Sequence, residues 1–257
     1  MNGAFYISAT GLQSQQRALD VIANNIANIN TPAFKRSQVR FAEILMSASP
    51  TSELDLAQHA GLESLAGVAV SDALRGFAQG DLRETGDPMN IAISGEGFIE
   101  LLGPDGQSML WRGGALKVND DGYLAASNGL ALKALISAPV GATAIAIDRA
   151  GTVRAVVDGE PQPVELGHID LVLVKDMAGL SALDGGLYQA ADAGGLLTTA
   201  PGEDGAGVLI QGSVEGSNVE LAEEMVTLLL MQRAFAANAQ VLQAGDQLMA
   251  IANGLRR

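Results

Sequence analysis

Apolar positions keep two different rhythms along this chain, and the changes of rhythm divide it into parts. At the front, Phe5, Ala9, Leu12, Gln16, Leu19, Ala23 and Ile26 follow alternating steps of four and three. At the back, Leu221, Met225, Leu228, Gln232, Phe235, Ala239, Leu242, Asp246 and Met249 do the same. A stripe that recurs every 3.5 residues faces a partner helix, so residues 4–30 and 218–255 are predicted as long helices with coiled-coil seams. Ile22 and Ile29 widen the first seam, while Val241, Leu248 and Leu255 draw a second line on the last helix. Two apolar lines on one helix imply more than one neighbour. Gln16, Gln232 and Asp246 interrupt the seams, as polar residues do where they fix register.

The helix ends are written in the sequence as well. The first helix should stop at Asn30-Thr31-Pro32, because the residue before a proline is pushed out of the helical region. Ser217 or Asn218 can cap the last helix, with Glu220, Glu223 and Glu224 in its early turns and Arg256 and Arg257 at its far end. Those are the signs that the helix dipole favours.

Between the helices the period falls to two. Ile91/Ile93, Leu116/Val118, Ile145/Ile147, Val153/Ala155/Val157 and Ile169/Leu171/Leu173 alternate. Pro104-Asp105-Gly106, Asp121-Gly122, Asp158-Gly159 and Asp184-Gly185 punctuate them as turns. Residues 76–212 are therefore expected to form an all-β domain, a sandwich or an irregular barrel. Residues 36–75, rich in Ser, Pro, Ala and Gly beyond residue 46, read as a linker with at most one short helical turn. The glycine-rich residues 194–207 read as a mobile return to the last helix. The expected fold class is α+β: a discontinuous coiled-coil region made of residues 1–35 packed with 213–257, and a central all-β body.

Charge narrows the partners. The 257 residues carry 29 acidic and 15 basic groups, a net charge of −14. Residues 1–46 contribute +2 and residues 215–257 contribute −2, so the whole excess sits on the body. Such a field repels phosphate backbones, and Lys35, Arg36 and Arg40 are too few to reverse it. No nucleic-acid partner is expected. No unbroken apolar run reaches ~18 residues, so no membrane insertion is expected either. The front lacks a basic leader followed by an apolar stretch, so a cleaved signal peptide is not expected.

Catalytic material is scarce. There is no cysteine, and His59 and His168 are the only histidines. A triad or a histidine–cysteine metal cluster has nothing to be built from. Gly95-Glu96-Gly97 lacks a third glycine and is followed by strand residues where a dinucleotide fold needs a helix. Asn119-Asp120-Asp121-Gly122 has the wrong spacing for calcium and reads as a hairpin turn. Glu223 and Glu224 are adjacent on a helix and point apart, so they are not an acid/base pair. The expected protein is not an enzyme and holds no cofactor or metal. From periodicity alone, however, two core helices inside one monomer and two assembly helices fit equally well.

The motifs tip that balance. Leu19-Asp20-Val21-Ile22-Ala23-Asn24-Asn25-Ile26-Ala27-Asn28, then Thr31-Pro32 and Phe34-Lys35-Arg36, are followed far along by Gln211-Gly212, Glu215, Ser217-Asn218-Val219, Glu224-Met225 and Gln232-Arg233. Between them stand Ile91-Ala92-Ile93 with Gly95, Gly97 and Phe98, then Arg112-Gly113-Gly114. This series resembles the rod and hook axial protein family of the bacterial flagellum, especially its distal-rod members, and covers nearly the whole chain. The family usually has glycine where this chain has Ala33.

The resemblance implies a structural subunit that self-assembles into a helical tube transmitting torque from motor to hook. It implies contacts with copies of itself, with other rod proteins and hook subunits, with the flagellar export apparatus and with surrounding ring proteins. The implied location is the basal body, in a rod crossing the periplasm and exported without a cleaved leader. Phe5, Leu12, Leu19, Ile22, Ile26, Leu228, Phe235, Leu242 and Met249 are the expected assembly contacts. Ala23, Asn24, Asn25, Asn28, Thr31, Pro32, Phe34 and Lys35 carry the family motif. The alternatives are a proximal-rod member or, from another class, a cell-wall or glycan-binding module.

Overall fold

A computed structural model describes residues 2–44, 67–139, 141–158, 162–183, 185–190 and 193–254. The chain divides into two compact units. Residues 1–27, 37–76 and 220–257 form one, and residues 28–36 and 77–219 form the other. The architecture is α+β, with a helix near each end and a β-rich middle.

The first unit is built on α1 (Asn2–Ala27) and α2 (Leu221–Gly254), which pack on one another. A methyl group added at Gly11 would lie 3.4 Å from Asn238 Nδ2, so the Asn238 side chain packs on the glycine. α1 also packs on an antiparallel ribbon of β1 (Ser37–Ile44) and β2 (Gly67–Arg75), paired from Ser37 opposite Arg75 to Ile44 opposite Gly67. The ribbon corrects the linker reading of 36–75. Apolar Val39 and Phe41 alternate with Gln38 and Arg40, a strand signal hidden by the composition of the residues that follow. The residues between the two strands, 45–66, and with them most of the span in which a short helical turn was expected, lie outside the described residues.

Both helices stop short of their predicted ends. α1 ends at Ala27 rather than residue 30, and Thr31 N–H bonds back to Asn28 O at 3.1 Å in the turn before Pro32. α2 begins at Leu221 rather than residue 218, because Asn218 spends its side chain elsewhere.

The β unit runs through β3 (Leu82–Glu84), β4 (Asn90–Ser94), β5 (Phe98–Leu102), β6 (Ser108–Trp111) and β7 (Gly113–Val118). It continues through β8 (Leu124–Ala126), β9 (Ala142–Ile147), β10 (Thr152–Val157), β11 (Val164–His168) and β12 (Leu171–Val174). β13 (Leu180–Leu183), β14 (Leu187–Ala190), β15 (Leu196–Thr199), β16 (Val208–Gln211) and β17 (Ser213–Glu215) complete it. A six-stranded sheet has the order β13-β14-β6-β5-β12-β15, and a four-stranded sheet the order β16-β4-β7-β8. β11-β10-β9 make a third sheet, and β17 pairs with β3.

Successive side chains of a strand leave by opposite faces. In β5 this sends Ile99 and Leu101 into a large core with Ile91, Ile93, Trp111, Leu124, Val153 and Leu171. Phe98, on the other face, joins Leu110, Val172 and Tyr188. Phe77 closes that second cluster by edge-on ring contacts, 5.9 Å from Phe98 and 5.3 Å from Tyr188 between centroids. The alternating pairs read from the sequence fall on β4, β7, β9, β10 and β12, with Ile169 just ahead of the last. Asp121-Gly122 is the turn between β7 and β8, closed by Tyr123 N–H to Asn119 Oδ1 at 2.8 Å.

The expected mobile return at 194–207 is instead partly sheet. β15 pairs with β12 along its length, from Thr199 opposite Leu171 to Leu196 opposite Val174. The glycines that suggested mobility permit close approach: a methyl on Gly95 would sit 2.7 Å from Gly207 Cα.

Candidate functional site

Two places in the molecule use residues in ways that core packing alone does not require. The first is a buried charge cluster in the β unit. Residues 28–36 lie in this unit, and Lys35 among them has no exposed surface. Its ammonium donates to Glu215 Oε1 at 2.5 Å and to Ala78 O at 2.9 Å. Arg112 Nε donates to Glu215 Oε2 at 3.0 Å, and Gly80 N–H to Glu215 Oε1 at 2.9 Å. The guanidinium also donates to Gly97 O and, at 2.6 Å, to Gly95 O, and it lies 5.7 Å over the Phe98 ring.

One carboxylate thus joins two cations, and all three groups are buried. Burial holds the Lys35 ammonium below the usual lysine range; Glu215 pulls it back upward, and Arg112 presses it down. The left-handed backbone of Gly95 and Gly97, at φ +114° and +120°, belongs to the loop whose carbonyls receive Arg112. That is the structural use of the two glycines.

The backbone of the same segment is held as firmly. Ala33 N–H donates to Glu215 O at 2.8 Å, and Asn218 N–H to Phe34 O at 3.3 Å. Asn218 Oδ1 accepts from Arg36 N–H at 2.7 Å, while Asn218 Nδ2 donates to Ala78 O at 2.9 Å. Ala33 is buried at φ +56°, a region that suits glycine. In the helical unit, buried Asn25 imitates a strand partner: its Nδ2 donates to Ser37 O at 2.9 Å and its Oδ1 accepts Ser37 N–H at 3.0 Å.

The second place is the surface of the terminal helices. On α1 the chain buries Ser14, Ala18, Ile22 and Asn25. Of the expected seam, Ala9, Gln16 and Ala23 are exposed and Leu12, Leu19 and Ile26 half-buried. At 100° per residue the seam lies about a third of a turn from the buried line. The reason is side-chain size: Gly11, Ser14 and Ala18 let a neighbour approach closely, and the larger residues project beside that contact.

On α2, Thr227, Leu228, Met231, Ala234, Asn238 and Leu242 are half-buried along one line. Leu221, Met225, Gln232 and Phe235 of the seam are exposed, and Val226, Leu229, Leu230, Val241 and Ile251 are more than half exposed. The side chains of Phe5, Asp246, Leu248 and Met249 lie outside the described residues. Residues 221–245 are long and apolar enough, by length and composition only, to cross a bilayer. The expectation from unbroken apolar runs missed this, because single polar residues interrupt the stretch.

The motif residues are therefore divided. Asn25 and Lys35 are buried, Phe34 and Asn28 half-buried, and Ala23, Asn24, Thr31 and Pro32 exposed. Thr31 Oγ1 donates to Asn28 Oδ1 at 3.1 Å. In the sequence Arg112 and Glu215 stood only as parts of a pattern and Asn218 also as a candidate helix cap, and none of the three was joined to Lys35. The complementary charges of Lys35, Arg112 and Glu215, one in each of three separated motifs, were the available signal. Glu223 is exposed and Glu224 buried, as adjacent helical positions that point apart.

Known protein families match this chain in the same order as these features. Residues 5–35 match the family described as Flagella basal body rod protein, 92–155 the Flagellar hook protein FlgE/F/G D1 domain, and 210–255 the Flagellar basal body rod FlgEFG protein C-terminal. Together they define an axial protein of the flagellum. The flagellar basal-body rod protein FlgG of Buchnera aphidicola subsp. Acyrthosiphon pisum (strain APS) is 36% identical over 251 residues, 96% of each chain. FlgG of Caulobacter vibrioides is 34% identical, covering 98% of this chain and 99% of its own. FlgF of the same bacterium is 31% identical, over 94% and 93%. The chain belongs to the FlgG family of flagellar basal-body rod proteins.

Proposed function

We infer that this protein is a structural subunit of the distal flagellar rod, polymerising through its terminal helices into a helical tube that passes torque from motor to hook. The observation that carries the reading is the exposed apolar surface of α2. From Met225 to Gly245 its one charged residue is Arg233, yet Met225, Val226, Leu229, Leu230 and Val241 stand more than half exposed. Burying such a side chain fully is worth about 1.5–3 kcal/mol, so the helix gains wherever copies stack. Coiled-coil packing between neighbouring subunits, along seams that one chain leaves open, follows from the same surface. Sliding by one residue would misplace every seam side chain, which is how such a bundle resists shear.

The 34% identity to FlgG of Caulobacter vibrioides against 31% to its FlgF favours the distal over the proximal rod. A rod crossing the periplasm, export without a cleaved leader, and contacts with other rod proteins, hook subunits and ring proteins belong to the same reading. Gln232, Arg233, Asn238, Gln240 and Gln243 interrupt the apolar surface and suit a protein neighbour better than lipid.

Phe235→Asp places a charge on the seam of α2. The expected outcome is loss of polymerisation and of motility, with the β unit still cooperatively folded. Wild-type motility would overturn the reading, and recovery of the purified wild-type protein on plain lipid vesicles would favour a membrane in place of sister copies.

A further inference from the structure

The chain passes between its two units after Ala27, Arg36, Gly76 and Val219. Residues 28–36 therefore belong to the β unit although the residues on both sides belong to the helical one. A segment so placed enters and leaves its unit as a bound peptide does. Its one buried apolar residue, Ala33, stands outside both apolar clusters of that unit. What holds it is polar and specific: the bonds from Ala33, Phe34 and Arg36 backbone groups, and the Lys35 ammonium on Glu215 and Ala78 O.

The receiving groups are positioned without it. Glu215 is fixed by Arg112 at 3.0 Å and Gly80 N–H at 2.9 Å, and Asn218 by its own bond to Ala78 O. β17 is paired with β3 from Ser213 opposite Glu84 to Glu215 opposite Leu82, which fixes the wall of the slot. A site whose donors and acceptors are already in place binds without the entropy of assembling them.

We propose that the β unit carries a peptide-binding slot whose ligand is the lysine-centred segment 28–36, and that docking of this segment is a step separable from folding of the strands. The ligand class is a peptide that turns ahead of a buried lysine, with a left-handed residue two positions before the lysine and, one position after it, a backbone N–H that donates to Asn218 Oδ1. The proposal does not depend on polymerisation, since every group it uses lies in one unit of one chain.

The test uses the full chain carrying Ala33→Pro and Lys35→Ala, which removes the Ala33 donor, forbids its positive φ and removes the ammonium, so that the segment leaves the slot. The probe is a fluorescent synthetic peptide of residues 27–37, followed by anisotropy. Saturable binding at least ~10-fold tighter to this variant than to the wild-type chain, whose slot is filled, is expected. That binding is expected to vanish when the lysine of the peptide is alanine or when Glu215→Gln is added to the chain. Equal binding to the variant and the wild type overturns the proposal.

Should the variant not fold, hydrogen exchange on the wild-type chain reads the same step. The Ala33, Arg36 and Asn218 amides should open together, ~10-fold or more faster than those of the buried Leu124 and Leu132, which donate to Ile136 O and Leu124 O. Exchange of all five at one common rate contradicts a separable step.

Discussion

Ala33 is the residue whose environment is most demanding for its size. It is buried, its N–H is committed to Glu215 O, and its φ of +56° lies in the left-handed region. Alanine tolerates that region at some cost, glycine without steric cost, and a β-branched residue hardly at all. Relief of strain, loss of a buried methyl and the added freedom of the unfolded chain are of similar size for Ala33→Gly. That variant should therefore stay within about 1 kcal/mol of the wild type in urea denaturation. Ala33→Val should lose about 2 kcal/mol or more, since strain and overpacking act in the same direction. Equal stability of the two variants would mean that the turn is not held as described.

Among elements, the Lys35–Glu215–Arg112 cluster joins the segment after α1, the link between β6 and β7, and the end of β17. Removing its anion and removing one cation have unequal effects. Glu215→Ala leaves two buried cations facing each other, for which a loss of about 3–5 kcal/mol is expected. Lys35→Met removes a charge that was costly to bury, keeps most of the volume and leaves Glu215 paired with Arg112. Its expected loss is below about 2 kcal/mol. Denaturation midpoints of the two variants give the comparison, and a larger effect for Lys35→Met would contradict the pairing.

The strands that the sequence revealed were those with a local signal: Ile91/Ile93 and Val153/Ala155/Val157 declare themselves within a few residues. β1 and β2 did not, because the short alternation at Val39 and Phe41 is masked by the Ser-, Ala- and Leu-rich stretch that separates each strand from a partner more than twenty residues away. The charge cluster was hidden for the same reason, with Lys35 and Glu215 separated by 180 positions. The face that α1 buries was misread on another ground. Periodicity of large side chains marks where apolar surface is, whereas Gly11, Ser14 and Ala18 mark where a neighbour can come closest.

The terminal helices spend their small and polar residues on contacts within the chain and leave many of their large apolar residues outside. That exposed apolar surface is the one proposed above for assembly, and the acidic body, which carries the whole net charge of −14, repels other copies of itself. Assembly should therefore change the environment of the helices far more than that of the strands.

Met225 reports on that change directly. It stands 53% exposed on the outer side of α2, while Met231 on the same helix is already half-buried against the rest of its unit. Peroxide oxidation of the two methionines, followed by mass spectrometry in dilute monomer and in isolated rods, compares them under one reagent. Met225 is expected to oxidise readily in the monomer and to be shielded in the rod, with a much smaller change at Met231. Met225 equally reactive in both states would show that the apolar side of α2 is not the surface that assembly closes.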